Sequence, residues 1–342
     1  MAPSSGTRPA AMRKSLILVG AVTALLGPST PLAAPESAPS LSLPLACRIG
    51  RTCEIQHYVD RDLGPGVQDY RCDHRTYDKH NGIDIRLLNL AAERVGTDVL
   101  AAAPGRVSRL RDGAPDISIR AAGAPSVVGR ECGNGVVIDH GGGWETQYCH
   151  LQRGSVRVKI GDLVTRRQPI ARAGLSGDTE FPHLHFTVRQ ATKIIDPFAP
   201  DLAGRRPCGA AGRSLWDAAA ASQLGYKAGV VLNAGWASGP VTMAEVEAGA
   251  IANPTSGAPA VVAWFRLIGL EKGDVLELEV VGPGGGTLVT SRLRPLDDDK
   301  DEYLALVGKK SARPWPAGSY AADLRVMRGG KVALTRRIAL TL

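Results

Sequence analysis

Short apolar runs, each broken by glycine or proline, are the feature that most constrains the fold of this chain. Between residues 80 and 200 these runs have the length of strands rather than of helices. The 40 Gly and 23 Pro, with only 5% aromatic residues, fit an architecture of strands and turns. We predict strands over 82–87, 98–102, 105–110, 135–139, 145–151, 155–158 and 184–189. The expected fold class is therefore mainly β, with mostly antiparallel strands.

The N-terminal residues have the pattern of a secretory signal peptide. Arg13 and Lys14 precede an apolar run over 16–26, and small residues follow at 31–34. The run is shorter than the roughly 20 residues that span a bilayer, so we expect no stable membrane insertion. The sequence predicts a signal peptide over 1–34 and an exported protein, periplasmic or extracellular.

The cysteines and the charge narrow the class of protein further. An even number of cysteines in an exported chain favours disulfides. Cys132 and Cys149 flank the Gly141-Gly-Gly143 turn and are candidates for paired strands, but the sequence assigns no pairing. The formal net charge is +8, yet the chain has no Lys/Arg block that would track nucleic acid. We therefore expect no nucleic-acid partner. The six cysteines are Cys47, Cys53, Cys72, Cys132, Cys149 and Cys208.

The length of 342 residues allows two or three domains at roughly 100 to 200 residues each. We predict a linker and cysteine-containing arm over 35–75, a histidine-bearing domain over 76–200, a connector over 201–230 and a β-sandwich accessory domain over 231–342. The connector is expected to contain a helix over 214–224. The accessory strands are expected at 261–267, 275–281, 286–293 and 320–340, the last folded into a hairpin at Gly329-Gly330. Residues 297–302 are acidic but lack the ligand spacing of a calcium loop, so we interpret them as a solvated loop.

The seven histidines all lie in the N-terminal two thirds of the chain, and two short motifs contain several of them. In His80-Asn-Gly-Ile-Asp84 a strand places His80, Gly82 and Asp84 on one face, and Gly82 leaves space between two candidate ligands. In 182–188 the same alternation points His183, His185 and Thr187 one way and the intervening apolar residues into a core.

Imidazole and carboxylate groups suit zinc, and a catalytic zinc takes three protein ligands and leaves one position for water. His80, Asp84 and one of His183 and His185 meet that requirement, while spacing alone does not say which. The remaining histidine and His150 would then be free to handle protons near neutral pH. The sequence contains neither H-E-x-x-H nor G-x-S-x-G, so the pattern indicates a zinc hydrolase without a glutamate base.

These motifs resemble those of the lysostaphin-type (LytM-like) zinc metallopeptidases. His80-Asn-Gly-Ile-Asp84 is similar to the family's H-x-G-x-D motif, and Pro182-His-Leu-His-Phe186 to its P-H-L-H-aromatic motif. Two intervening segments, 133–140 and 148–151, are similar to G-N-x-V-x-I-x-H and Y-x-H-L. The resemblance covers roughly residues 76–200.

The resemblance implies that His80, Asp84 and His185 bind Zn²⁺ and that His150 and His183 are the catalytic pair. It also implies that the substrate is peptidoglycan, cut at its peptide cross-links. By the same resemblance His140 is structural and Tyr77 is a candidate for transition-state support, while His57 and His74 stay unassigned.

The fold implied by the resemblance is a duplicated hybrid motif, a barrel-sandwich in which 158–164 and 170–174 form a hairpin. The chain departs from the family pattern at two places. Relatives usually have glycine where Arg167 stands, and residues 177–181 replace the small residues that more often precede the P-H-L-H motif. These departures concern the rim of the site and not its five candidate residues.

Three functions are open on the sequence. An exported zinc endopeptidase is the function the resemblance implies. A non-catalytic regulator of cell-wall amidases is the alternative, disfavoured because all five site residues are present. A carrier or sugar-binding domain with a structural metal would leave two histidines without a role. A regulatory protein partner is not identified by the sequence.

Overall fold

The computed structural model describes residues 37–62, 64–121, 123–200 and 213–342, and its fold class is mainly β, as predicted. The predicted signal peptide and Cys208 lie outside these residues. The first ten strands are β1 (Cys53–His57), β2 (Ile83–Leu87), β3 (Asp98–Leu100), β4 (Gly105–Arg111), β5 (Asn134–Gly141), β6 (Trp144–Leu151), β7 (Leu163–Val164), β8 (Pro169–Arg172), β9 (His183–Gln190) and β10 (Lys193–Ile195). A short helix, α1 (Leu90–Val95), follows β2.

One antiparallel sheet organises this part of the chain. Its strands lie in the order β1-β2-β9-β6-β5-β4-β7, β10 pairs with β9, and β3 and β8 form a small separate sheet. On the central strand β9, Leu184, Phe186 and Val188 are buried in the hydrophobic core, as their alternation predicted. The other face of β9 is therefore available to its two histidines.

Two local predictions in this region need correction. No strand forms over 155–158, although Val158 is buried against the core. The cysteine-containing segment, which has no clear periodicity, contains β1, which pairs with β2 at the edge of the sheet. Arg167, where the chain departs from the family pattern it resembles, adopts the left-handed backbone with φ of 63°, the conformation that glycine adopts without strain.

The C-terminal strands form two packed sheets, as the β-sandwich prediction expects. The sheets have the orders β11-β12-β15 and β14-β13-β16-β17 and share one apolar core. Gly329 and Gly330, both at positive φ, form the predicted hairpin turn between β16 and β17. The strands are β11 (Val230–Ala237), β12 (Ala260–Leu270), β13 (Val275–Val281), β14 (Thr287–Arg292), β15 (Lys300–Lys310), β16 (Ser319–Arg328) and β17 (Lys331–Thr341).

The sequence did not predict β11, β15 or the helix α3 (Met243–Ala248), which begins at a capping box made by Thr242 and Glu245. The helix expected over 214–224 is limited to α2 (Ala218–Ala221). No helix in the described part of the chain has the length and apolar character needed to cross a bilayer.

Residues 297–302 are not a fully solvated loop, because the last three begin β15. Ala34–Leu342 is one compact unit. This end of β15 contacts the N-terminal sheet through Asp301 and Glu302. Arg86, which is 1% exposed, forms ion pairs with Glu247 at 2.7 Å and with Glu302 at 2.8 Å. Glu247 also pairs with the buried Arg266 at 2.6 Å. Charged groups that are buried in this way need their partners. The N-terminal sheet is therefore joined to the C-terminal strands by a specific polar contact.

Candidate metal centre

The pairing of β2 with β9 assembles the two histidine motifs. In the antiparallel register Asp84 lies opposite His185, and Arg86 lies opposite His183. Residues directly opposite each other share one face of a sheet, so the carboxylate and both imidazoles point to the same side. Remote parts of the sequence are thereby brought into one site.

The donor atoms of His80, Asp84 and His185 lie close together. His80 Nε2 is 3.2 Å from His185 Nδ1 and 3.2 Å from Asp84 Oδ2, and His185 Nδ1 is 2.9 Å from Asp84 Oδ1. Ligands at about 2.0–2.2 Å from a tetrahedral zinc are separated by roughly 3.3 Å, so these distances suit the metal. A second group, His150, His183 and His185, also has its donor atoms within 4.8 Å of one another.

Backbone carbonyls fix the direction of three imidazoles. The Nδ1 atoms of His80, His150 and His183 lie 2.6, 2.7 and 3.0 Å from the carbonyl oxygens of Tyr58, Ser176 and Phe181, respectively. A carbonyl only accepts, so each Nδ1 carries the hydrogen, and each neutral ring is left with a lone pair on Nε2. Ligand histidines are oriented in this way by their second nitrogen.

His185 is oriented the opposite way round. Its Nε2 lies 3.0 Å from Asn81 Oδ1 and 3.1 Å from the Thr187 hydroxyl. Donation from Nε2 to the amide oxygen would free Nδ1 as a ligand atom, facing His80 Nε2 and the Asp84 carboxylate. Two ring nitrogens 3.2 Å apart beside a carboxylate need a proton or a cation between them, so the donor set fits a bound metal ion.

Gly82 is needed for this arrangement. A Cβ atom added there would lie 2.6 Å from His185 Nε2 and 2.8 Å from the carbonyl oxygen of Phe186. Both distances are below van der Waals contact, which confirms that the glycine leaves space beside a candidate ligand.

His150 reaches the site through a break in strand geometry. Cys149, its neighbour on β6, lies opposite His185, so regular alternation would turn the next side chain to the other face. His150 instead has φ of 59°, and its ring lies 4.5 Å from that of His183 and 5.9 Å from that of His185. The backbone amide of His150 donates to the carbonyl of Cys132, which is disulfide-bonded to Cys149.

Two described disulfides agree with the expected oxidised cysteines. The structure pairs Cys132 with Cys149 on β6, and Cys47 with Cys53. Cys72 is also disulfide-bonded, and none of the cysteines in the described ranges is free.

Burial and charge set the protonation of the site. Burial alone would raise the pKa of Asp84, but the surrounding imidazoles outweigh it and hold the pKa well below its usual range. Burial lowers the pKa of His185, and it lowers the pKa of His150 well below 6.5, reinforced by the charges of His183 and His185. At neutral pH Asp84 is therefore a carboxylate, and His150 and His185 are neutral imidazoles, the forms that bind metals and accept protons.

The open side of the site is a cavity of about 290 Å³, large enough for part of a peptide chain. Tyr77, which is 46% exposed, lies at this side with its ring stacked on His80 at 4.4 Å between ring centroids. The residues that line the cavity include both acidic and basic side chains. The lining comprises Tyr77, Lys79, His80, Asn81, Glu131, Cys132, Gln147, Cys149, His150, Asp178, His185, Thr187 and Arg189.

The other histidines have separate environments. His140 bonds to the Pro104 carbonyl at 2.7 Å and to Thr146 at 2.8 Å, which suits a structural role. His74 forms an exposed pair with Asp299. His57, which sequence reasoning left unassigned, is buried with its Nδ1 3.1 Å from Asp84 Oδ2. No motif marks His57, which lies on the five-residue strand β1.

Residues 78–197 match peptidase family M23, and this stretch includes all five candidate site residues. The chain carries a peptidase family M23 domain. The M23 domain coincides with β2 to β10 and the helix between them, so it contains the complete donor set described above.

Known proteins resemble parts of this chain. Peptidoglycan DD-endopeptidase ShyB of Vibrio cholerae is 43% identical over 20% of this chain and 16% of its own length. Cell division protein DipM of Caulobacter vibrioides is 30% identical over 33% of this chain and 16% of its own length. A zinc-containing peptidase from Vibrio cholerae, with a solved structure, is 28% identical over 44% of this chain and 39% of that chain, with a TM-score of 0.27. The chain thus spans only a small part of the curated relatives it matches.

Proposed function

We propose that this protein is an exported zinc-dependent endopeptidase that hydrolyses the peptide cross-links of bacterial peptidoglycan. In this proposal His80, Asp84 and His185 hold Zn²⁺, and His150 and His183 are the catalytic pair. The observation that carries it is the clustering of the donor atoms, with His80 Nε2 3.2 Å from His185 Nδ1 and both nitrogens within 3.2 Å of an Asp84 carboxylate oxygen. Such a cluster is stable around a cation.

The donor chemistry supports zinc as the metal. Two imidazoles and one carboxylate form the ligand type found in catalytic zinc sites, which keep one position for water. Bound there, the metal would lower the pKa of its water and polarise the scissile carbonyl. A backbone carbonyl orients the His80 ring, and the Asn81 and Thr187 side chains orient the His185 ring, so little reorganisation is needed for binding.

The protein's own residues then supply proton transfer and charge stabilisation. Because its pKa is lowered, His150 holds an unprotonated Nε2 at neutral pH and accepts the proton of the attacking water. His183, whose Nε2 lies 3.4 Å from Asp84 Oδ1, is the member of the pair that we propose stabilises negative charge on the carbonyl oxygen. We propose that Tyr77, whose ring stacks on His80, donates a hydrogen bond to the same oxygen.

The relatives and the disulfides support the proposed substrate and location. ShyB is described as a peptidoglycan endopeptidase, and the match to it supports peptidoglycan as the substrate here. Disulfides form in oxidising compartments, which supports export to the periplasm or the exterior by a signal peptide over 1–34. We propose residues 76–200 as the peptidase domain, 231–342 as the accessory domain, and 35–75 and 201–230 as the arm and connector.

Single substitutions separate metal binding from catalysis. His80→Ala and Asp84→Ala are expected to lose zinc and activity together, because each removes a ligand. His150→Ala is expected to retain zinc and lose roughly 10²–10⁴-fold in turnover, the usual contribution of a general base. The measurements are zinc per chain and release of soluble peptides from purified peptidoglycan.

His74→Ala is the matched control, since it removes an exposed histidine outside the site. Full activity in His150→Ala would contradict the catalytic assignment. Zinc-loaded wild-type protein that releases nothing would instead support the non-catalytic regulator.

A further inference from the structure

His57 is a buried imidazole in contact with a proposed metal ligand, although it lies in the arm and outside residues 78–197. Its Nδ1 is 3.1 Å from Asp84 Oδ2, and both side chains are almost fully buried, at 9% and 3% exposed. The carboxylate only accepts, so His57 donates from Nδ1. Its ring also meets the rings of Tyr77 at 5.2 Å and His80 at 5.8 Å.

A strand irregularity directs His57 to this position. The β1–β2 register pairs Ile55 with Ile85 but then pairs His57 with Asp84, so one extra residue, Gln56, is accommodated in β1. Such a bulge re-aims the next side chain. The arm therefore places His57 directly across from the ligand.

The hydrogen bond restricts rotation of the Asp84 carboxylate. One oxygen lies near His185 Nδ1, and the other is shared between His80 and His57. Without His57, Oδ2 would lose its donor from the arm and the carboxylate plane would be free to turn. Partners of this kind set the orientation and basicity of a ligand.

The C-terminal sheet reaches the same histidine. Asp301, the second residue of β15, has its Oδ1 3.6 Å from His57 Nε2. The Asp301 carbonyl accepts a hydrogen bond from the Gln56 side chain at 3.0 Å, so the start of β15 is attached to the bulge. The Asp301 carboxylate is 70% exposed, and its electrostatic effect on His57 is therefore expected to be modest.

We infer that His57 is a positioning residue that fixes the metal ligand Asp84, and that the accessory domain tunes metal affinity through Asp301. This inference rests on the zinc site of the proposed function. It gives the C-terminal domain a role at the site that is separate from any binding of the cell wall.

The test measures Zn²⁺ affinity of the full chain by competition with a chelator, and the visible spectrum of the Co²⁺-substituted protein. His57→Ala is expected to weaken zinc binding by about 10- to 100-fold and to alter the cobalt spectrum. His57→Asn, whose amide can replace the Nδ1 donor, is expected to restore affinity to within about threefold of wild type. Asp301→Ala is expected to weaken binding by about two- to fivefold.

Asp299→Ala is the matched control, because Asp299 makes a similar pair with His74 across the same contact and does not touch the site. Unchanged zinc affinity in His57→Ala would overturn the inference. So would an equal loss in His57→Asn, which would assign the effect to ring packing, or an effect of Asp299→Ala equal to that of Asp301→Ala.

Because no peptidoglycan is present in this assay, its outcome is distinct from that of the hydrolase test. Zinc-binding protein that cuts nothing would overturn the hydrolase and leave the inference standing if the variants behave as expected. Wild-type protein that binds no zinc would overturn both.

Discussion

Gly82→Ala is expected to disable the metal centre without replacing any ligand. The new methyl group would lie 2.6 Å from His185 Nε2 and 2.8 Å from the Phe186 carbonyl oxygen. Contacts of about 3.5–4.0 Å are optimal, so a displacement on the order of 1 Å is required. The backbone of β9 resists this movement, and the His185 ring must therefore turn.

Turning the ring breaks its contacts on both sides. His185 Nε2 would leave Asn81, and Nδ1 would leave its 2.9 Å position beside Asp84. We expect zinc affinity to fall by about 10- to 100-fold, the size seen when a ligand loses its orienting partner. Overpacking should also cost about 1–3 kcal/mol in the free energy of unfolding.

The assay is zinc competition with a chelator, together with thermal unfolding of the metal-free protein. Gly235→Ala is the matched control, because its Cβ would lie 2.6 Å from Trp264 in the C-terminal sheets. It should lower Tm to a similar extent and leave zinc affinity unchanged. Wild-type zinc affinity in Gly82→Ala, or an equal loss of affinity in Gly235→Ala, would refute the reasoning.

Three further predictions concern proton transfer, the disulfide and the polar contact between the sheets. Burial lowers the pKa of His150, so this base stays unprotonated below pH 6.5. The acid limb of the plot of kcat against pH should therefore have its midpoint below pH 6.5, and a midpoint at or above pH 6.5 would contradict the assignment of His150 as the base. Replacing Cys132 and Cys149 by Ser should lower kcat by roughly 10- to 100-fold while zinc content is retained, because the disulfide holds the segment before His150. An unchanged kcat would show that the disulfide does not position His150. Glu247→Gln removes a carboxylate from the buried Arg86 and should cost up to about 3–5 kcal/mol in urea unfolding; a loss under about 0.5 kcal/mol would show that the pair is not needed.

Period-two alternation predicted the parts of the site that lie on regular strands. Leu184, Phe186 and Val188 face the core, which leaves His183 and His185 on the opposite face. This works because a strand with one buried face has its register specified by its own apolar residues. The mainly β class and the two-glycine hairpin follow from equally local signals.

The remaining site residues depend on interactions that no local pattern encodes. His150 points into the site because of a left-handed residue in β6, and His57 because of a bulge in β1. Asp301 approaches His57 only once remote strands have paired and the N-terminal sheet has packed against the start of β15. An acidic run such as 297–302 gives no sign that its last residues contact a histidine.

The most direct test of the central claim combines zinc content with hydrolysis by the mature protein. The zinc endopeptidase predicts close to one zinc per chain and release of soluble peptides from purified peptidoglycan that stops with chelator and returns with added Zn²⁺. Release that persists after the zinc is removed, or a zinc-loaded protein that releases no peptide, would contradict it.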